Sequence, residues 1–270
     1  MEPLALSLLS AVEPAYVLSG LGVGLLVGMT GVGGGSLMTP LLVLLFGVHP
    51  ATAVGTDLLY AAVTKTAGMA VHGFNKTVDW AVTGLLALGS IPATALTLWA
   101  LSHVQATTGG AARLIAFVLG LMLIVTSATL IFRRFLRGLV EKRHIADEGH
   151  EDERGVATVA LGALLGVVVS ISSVGAGAIG MTALLMLYPR RPIARLIGSD
   201  IAHAVPLTLI AGGGHWLIGS VDFGLLGSLL VGSIPGVVIG SAFGPRLPEP
   251  ALRMVLAAIL AIVGVKLVTG

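Results

Sequence analysis

The chain states much of itself twice. Gly55-Thr56-Asp57 returns as Gly198-Ser199-Asp200, His72 as His215 and Val78-Asp79-Trp80 as Val221-Asp222-Phe223, all at an offset of 143 positions. Gly89-Ser90-Ile91-Pro92 returns unchanged as Gly232-Ser233-Ile234-Pro235 at that same offset of 143. Upstream, Val32-Gly33-Gly34-Gly35 answers to Val174-Gly175-Ala176-Gly177 at an offset of 142, so one residue was gained between the copies. Chance does not hold a register over such a length. A duplicated chain folds as two similar halves, and in secondary transporters the site lies between them.

Both copies are apolar. Of 270 residues, 56% are hydrophobic and only 10% charged, against about 25% charged in an average soluble domain. Stretches such as 77–101, 113–132 and 251–268 approach or exceed the roughly 20 residues that cross a bilayer, and the 38 glycines let such helices pack closely. The fold class expected is an all-α polytopic membrane protein. The absence of cysteine excludes disulfides, thiolate metal sites and cysteine nucleophiles; no metal and no cofactor are expected. Nothing resembles a basic, aromatic-interleaved nucleic-acid surface. Met1-Glu2-Pro3-Leu4 lacks a basic leader, so no cleavable signal peptide is expected.

Apolar helices read as 15–29, 36–46, 50–72, 78–100 and 111–135, then 155–171, 178–188, 192–215, 221–243 and 250–269. Two transmembrane repeats, 1–135 and 155–270, flank a charged linker at 136–154. The second helix of each repeat is too short to span, since about 11 residues rise only about 16 Å. Each follows a glycine-rich tip, Gly31-Val32-Gly33-Gly34-Gly35-Ser36 or Ser173-Val174-Gly175-Ala176-Gly177-Ala178. Either the tip breaks one spanning helix, or the first two helices form a re-entrant hairpin. The hairpin leaves about three full crossings per repeat and inverts the second repeat relative to the first. It gathers Lys76, the linker, Arg190, Arg191, Arg195, Arg246 and Arg253 on one side, leaving Arg113 and Lys266 near the other. The positive-inside rule therefore favours inverted repeats in a bacterial inner membrane, with an external N-terminus and a cytoplasmic linker.

Gly31-Val32-Gly33-Gly34-Gly35-Ser36-Leu37, the following Pro40, Ala53-Val54-Gly55-Thr56-Asp57-Leu58-Leu59, Gly73 and Val78-Asp79-Trp80 resemble the sulfite exporter TauE/SafE family, also called the toluene-sulfonate uptake permease superfamily. The resemblance covers nearly the whole chain. It implies a secondary carrier of sulfur-containing anions such as sulfite, sulfonates and sulfoacetate. Many members carry Ser where this chain has Asp57 and Asp200.

The residues themselves suggest how an anion would be held. Non-helical backbone inside a bilayer is tolerated only where protein buries it or it lines a wet cavity. Helix N-termini attract anions without a cationic side chain. The expected substrate ligands are Gly33, Gly34, Gly35, Ser36, Thr39, Thr56, Asp57, Ser173, Gly175, Gly177, Thr182, Ser199 and Asp200. Ionisable groups within a span mark function by default, and Asp57, Lys65, Asp200 and His203 are candidates for proton or ion coupling. The competing reading gives the glycines to helix packing and the aspartates to capping interrupted backbone. Asp79 and Asp222 read as N-terminal caps, and Trp80 and Trp99 as interface anchors.

The partners implied are a small anion and the lipid bilayer, with a homodimer left open. Without a Gly-x-x-x-x-Gly-Lys-[Ser/Thr] loop, transport would not run on ATP bound by this chain. Alternatives are an anion channel, a carrier of small non-sulfur organic acids and, remotely, an intramembrane hydrolase. The hydrolase reading is weak because Ala178 replaces Ser36 in the other copy, and an enzyme is not expected.

Overall fold

In an apolar solvent every backbone N–H and C=O must find its partner within the segment, and runs like these satisfy that demand as helices. The computed structural model describes residues 13–30, 35–108, 111–132, 151–243 and 249–269. Among them the regular structure is helical throughout. The first repeat contains α1 (Pro14–Thr30), α2 (Gly35–Leu45), α3 (Pro50–Phe74), α4 (Trp80–Thr108) and α5 (Ala111–Ile131). The second contains α6 (Glu151–Ser172), a π-helical turn (Ala176–Gly180) running into α7 (Met181–Leu187), α8 (Ile193–Leu217), α9 (Phe223–Phe243) and α10 (Glu249–Thr269). Five stretches, 80–104, 112–131, 154–172, 193–217 and 223–240, are long and apolar enough to cross a membrane.

The expected boundaries shift in three places. Helix α4 continues to Thr108, past its expected end near 100, and α5 stops at Ile131. Helix α6 starts at Glu151, inside the stretch read as linker. Acidic side chains at a helix N-terminus suit the macrodipole, so those charges lend themselves to starting a helix. The remainder of the linker, and Gly31, Val32, Gly33 and Gly34 of the first tip, lie outside the described residues.

The two halves are woven together rather than set side by side. Helix α1 packs on α9 and α6 on α4, and glycines set both seams. A Cβ at Gly20 or Gly24 would strike the backbone of Leu229 or Ser233. At the corresponding Gly162 and Gly166 it would strike Leu86 and Ser90. The reverse contacts match as well, Gly89 against Val159 and Gly232 against Val17. Every one of these pairs maps onto its counterpart through the sequence repeat. Backbone-to-backbone contact of this kind is available only to residues without a side chain.

Contacts along the helices give their directions. Helix α4 runs parallel to α6, because 86 meets 162 and 90 meets 166. Helices α3 and α8 are antiparallel, Gly55 lying at His215 and Gly198 at His72. So are α5 and α10, where Gly120 meets Gly264 and the Ser127 hydroxyl donates to the Ala257 carbonyl (2.7 Å). Followed through the chain, these directions put Lys76, Arg154, Arg190, Arg191 and Arg195 at one end of the bundle, and Arg113 and Lys266 at the other.

Each short helix folds back along the helix before it. In the second repeat the Thr158 and Tyr188 hydroxyls share a hydrogen bond (2.7 Å), and Leu165 packs with Leu184. In the first repeat the corresponding pair is Tyr16 and Phe46, whose rings meet edge-on with centroids 4.9 Å apart. Both hairpins are thus clasped at their open ends, one by a polar and one by an aromatic contact.

Candidate functional site

Helices α3 and α8 run side by side in the core of the bundle, and each carries one aspartate on its buried face. Asp57 is fully buried and Asp200 nearly so. The Thr39 hydroxyl, brought in by α2, donates to Asp57 Oδ2, and the Ser173 hydroxyl of the opposite tip lies beside the same carboxylate. Asp200 lies against the other hairpin, its Oδ1 only 2.9 Å from where a Cβ on Gly180 would stand. Oδ1 of each aspartate is buried without a hydrogen-bond partner. Lys65 is half-buried and within electrostatic range of both carboxylates.

A second ring of groups repeats with the duplication. His203 Nε2 is 2.8 Å from the Ser90 hydroxyl, and at the corresponding positions the Tyr60 hydroxyl lies beside Ser233. His203 Nδ1 is buried and unpartnered. Ser90 and Ser233 were not among the expected site residues, although their identical Gly-Ser-Ile-Pro motifs flagged the positions. Gly180 carries no sequence signal, because its place in the first repeat is not glycine.

The second tip differs from the expected open glycine loop. Ser173 (φ 58°) and Gly175 (φ 117°) take left-handed backbone and reverse the chain within three residues, a conformation that glycine adopts freely and serine only at a cost. Helix then restarts at once. The N–H groups of Ile179 and Gly180 both donate to the Gly175 carbonyl at 3.1 Å, so Gly177 belongs to a π-helical turn and not to a loop. The leading amides of any such helix have no partner within it, and here they begin beside the Ser173 turn. In the first repeat α2 begins at Gly35 and Ser36.

Two expected anion ligands are committed elsewhere. Ser199 Oγ accepts from the Asp79 backbone N–H (2.8 Å), and Thr56 Oγ1 accepts from the Asp222 backbone N–H (3.1 Å). They tie the start of each fourth helix to the opposite half. Asp79 and Asp222 themselves cap α4 and α9 by accepting from the N–H groups of Val82 (3.4 Å) and Leu225 (2.9 Å). Asp79 also pairs with Arg191. Thr182 is half-buried on α7. Among the described residues no cluster of His, Cys, Asp and Glu has the makings of a metal site.

A duplicated bundle of apolar helices around buried carboxylates defines a polytopic membrane protein. The chain matches the family described as Sulfite exporter TauE/SafE over residues 16–267, and it belongs to that family. Similar proteins of Bacillus subtilis (strain 168) include the "Probable membrane transporter protein YjnA", 38% identical over 94% of this chain and 99% of its own length. The "Probable membrane transporter protein YdhB" is 27% identical over 90% of this chain and 95% of its own length. No solved structure matches. The protein is a membrane transporter and not an enzyme.

Proposed function

We propose that the protein is a secondary carrier of small anions, sulfur oxyanions such as sulfite, sulfonates or sulfoacetate foremost. The anion sits between the two tips, held by the leading amides of α2 and of the π-turn–α7 segment, with Gly33, Gly34, Gly35, Ser36, Gly175 and Gly177 allowing close backbone approach. Thr39, Ser173 and Thr182 supply hydroxyls. Asp57, Lys65, Asp200 and His203 couple the anion to protons.

The observation that carries this reading is the meeting of both clasped hairpins at the buried carboxylate of Asp57. Asp57 touches Thr39 of one hairpin and lies by Ser173 of the other. Helix amides directed at a shared centre are the means by which carriers bind anions within broken helices. The antiparallel run of the repeat-related pairs α3/α8 and α5/α10 supports repeats of opposite orientation, which is the basis of alternating access. The collection of Lys76, Arg154, Arg190, Arg191 and Arg195 at one end supports a cytoplasmic linker in an inner membrane.

The test is flux. Purified protein in liposomes is expected to take up labelled sulfite or a sulfonate, saturably, and empty liposomes are not. Uptake of none of a panel of sulfite, sulfonates and small carboxylates overturns the reading, and flux that never saturates makes the protein a channel. Because the chain has no cysteine, single cysteines at Ala146 and Gly110 are free labelling probes. Membrane-impermeant maleimide applied to whole cells is expected to reach Gly110→Cys and not Ala146→Cys.

A further inference from the structure

Lys65 breaks the symmetry of the site. Its place in the second repeat is taken by Thr208, whose hydroxyl donates to the Ala204 carbonyl of its own helix (2.8 Å). Lys65 stands nine residues before the end of α3, about 13 Å along a helix axis. At that depth an ammonium turned toward lipid is costly. A half-buried lysine there, in range of two buried carboxylates, has its polar company inside the bundle.

The charges facing it can be counted. Its own helix brings Asp57, with Tyr60 in range of that carboxylate, and α8 brings Asp200 and His203. Helices α2 and α9 carry no ionisable residue; their nearest contributions are the Thr39 and Ser233 hydroxyls, joined by Ser173 from the tip. Arg113 on α5 and Arg154 on α6 stand at the ends of their helices. With both carboxylates ionised the cluster carries one net negative charge. Adding a monovalent anion would make two, in a medium where like charges are poorly screened. With one carboxylate protonated the empty cluster is neutral. It stays neutral with an anion bound only if the second carboxylate is protonated too.

Resting on the anion-carrier reading, we propose that Lys65 is an exchangeable counter-cation, paired with an aspartate when the site is empty and with a monovalent sulfonate when it is loaded. The aspartate that gives up Lys65 takes one proton from the aqueous side on its carboxylate oxygen. The buried, unpartnered Oδ1 atoms of Asp57 and Asp200 are the positions open to it. Release of the anion returns Lys65 to the carboxylate and the proton to water. One proton travels with each anion, and transport is electroneutral.

The probe is ethanesulfonate, which stays a monovalent anion across the useful pH range, with the full chain in liposomes holding a pH-sensitive dye. Influx is expected to acidify the lumen by one proton per anion and to be indifferent to a potassium–valinomycin potential of either sign. Lys65→Gln is expected to lower flux at least ten-fold and to uncouple what remains from the dye signal, and Lys65→Arg to restore both. Failure of every anion in the panel overturns the carrier reading and this proposal together. Sulfite flux without ethanesulfonate flux overturns only the proposal. So does ethanesulfonate flux that leaves the lumen pH unchanged or follows the potential, or a Lys65→Gln protein that keeps one-to-one coupling. The wild-type stoichiometry and voltage response decide the matter even if Lys65→Gln does not fold.

Discussion

The seams between the helices and the centre they enclose obey different rules. At the seams the halves agree residue for residue: Gly20, Gly24 and Gly232 do at one seam what Gly162, Gly166 and Gly89 do at the other. At the centre they part. Asp57 has Thr39, Ser173 and Tyr60 around it, Asp200 has Gly180, and Lys65 of the first half is in range of both, with Thr208 standing where a second lysine would be. On the carrier reading, symmetric packing would keep two orientations of the protein close in energy. On the same reading, unequal chemistry at the centre would set which charges accompany each of them. The framework is shared, and the chemical choice is local.

The comparison can be broken first at the seams. Gly89→Val or Gly232→Val forces a side chain into the Val159 or Val17 backbone, where nothing can yield except by separating the helices. Overpacking of that kind costs about 1–3 kcal/mol or more. Both variants are expected to lose most of their detergent-stable monodisperse protein by size-exclusion chromatography, and to a similar extent. A large difference between them would show that the two seams are not equivalent.

At the centre, Asp57→Asn and Asp200→Asn keep shape and remove charge. Each is expected to lower initial flux ten-fold or more with little change in melting temperature. Similar losses would make the two carboxylates interchangeable, and a much larger loss at one would identify the carboxylate that pairs with Lys65. His203→Tyr gives the second half the ring of the first. The folded protein is expected to survive, because a tyrosine hydroxyl can still reach Ser90, and flux is expected to fall several-fold. Wild-type flux from this variant would remove His203 from the coupling machinery.

The smallest effect belongs to the hairpin clasps. Phe46→Leu removes the edge-on contact with Tyr16, and Tyr188→Phe the hydrogen bond with Thr158. Each contact is worth about 1 kcal/mol. Each variant is expected to melt a few degrees lower, with transport largely retained.

Much of this architecture was legible in the residues. Helix positions followed from apolar runs, and the matched motifs marked equivalent points in each half. The hairpins could be anticipated because an eleven-residue helix cannot cross a bilayer and because Lys and Arg were distributed unevenly. What escaped was the partnering. Nothing in the spacing says that the first helix of one repeat lies on the fourth of the other, since the glycines suit many seams. Thr56 and Ser199 looked like ligands because they precede the aspartates, yet a helix turns successive residues to different faces, and theirs meets the opposite half. The π-turn at Ala176–Gly180 was hidden because the same letters serve equally well as a loop.

The interlocking of α1 with α9 and of α6 with α4 bears on how the protein is made. Helix α1 leaves the ribosome some two hundred residues before its seat on α9 exists, and contacts between such distant parts of a chain form late. Until then its row of glycines has only lipid or a temporary neighbour to lie against. Neither repeat on its own can bury that surface, so separately expressed halves should be degraded, and co-expressed halves should rescue one another.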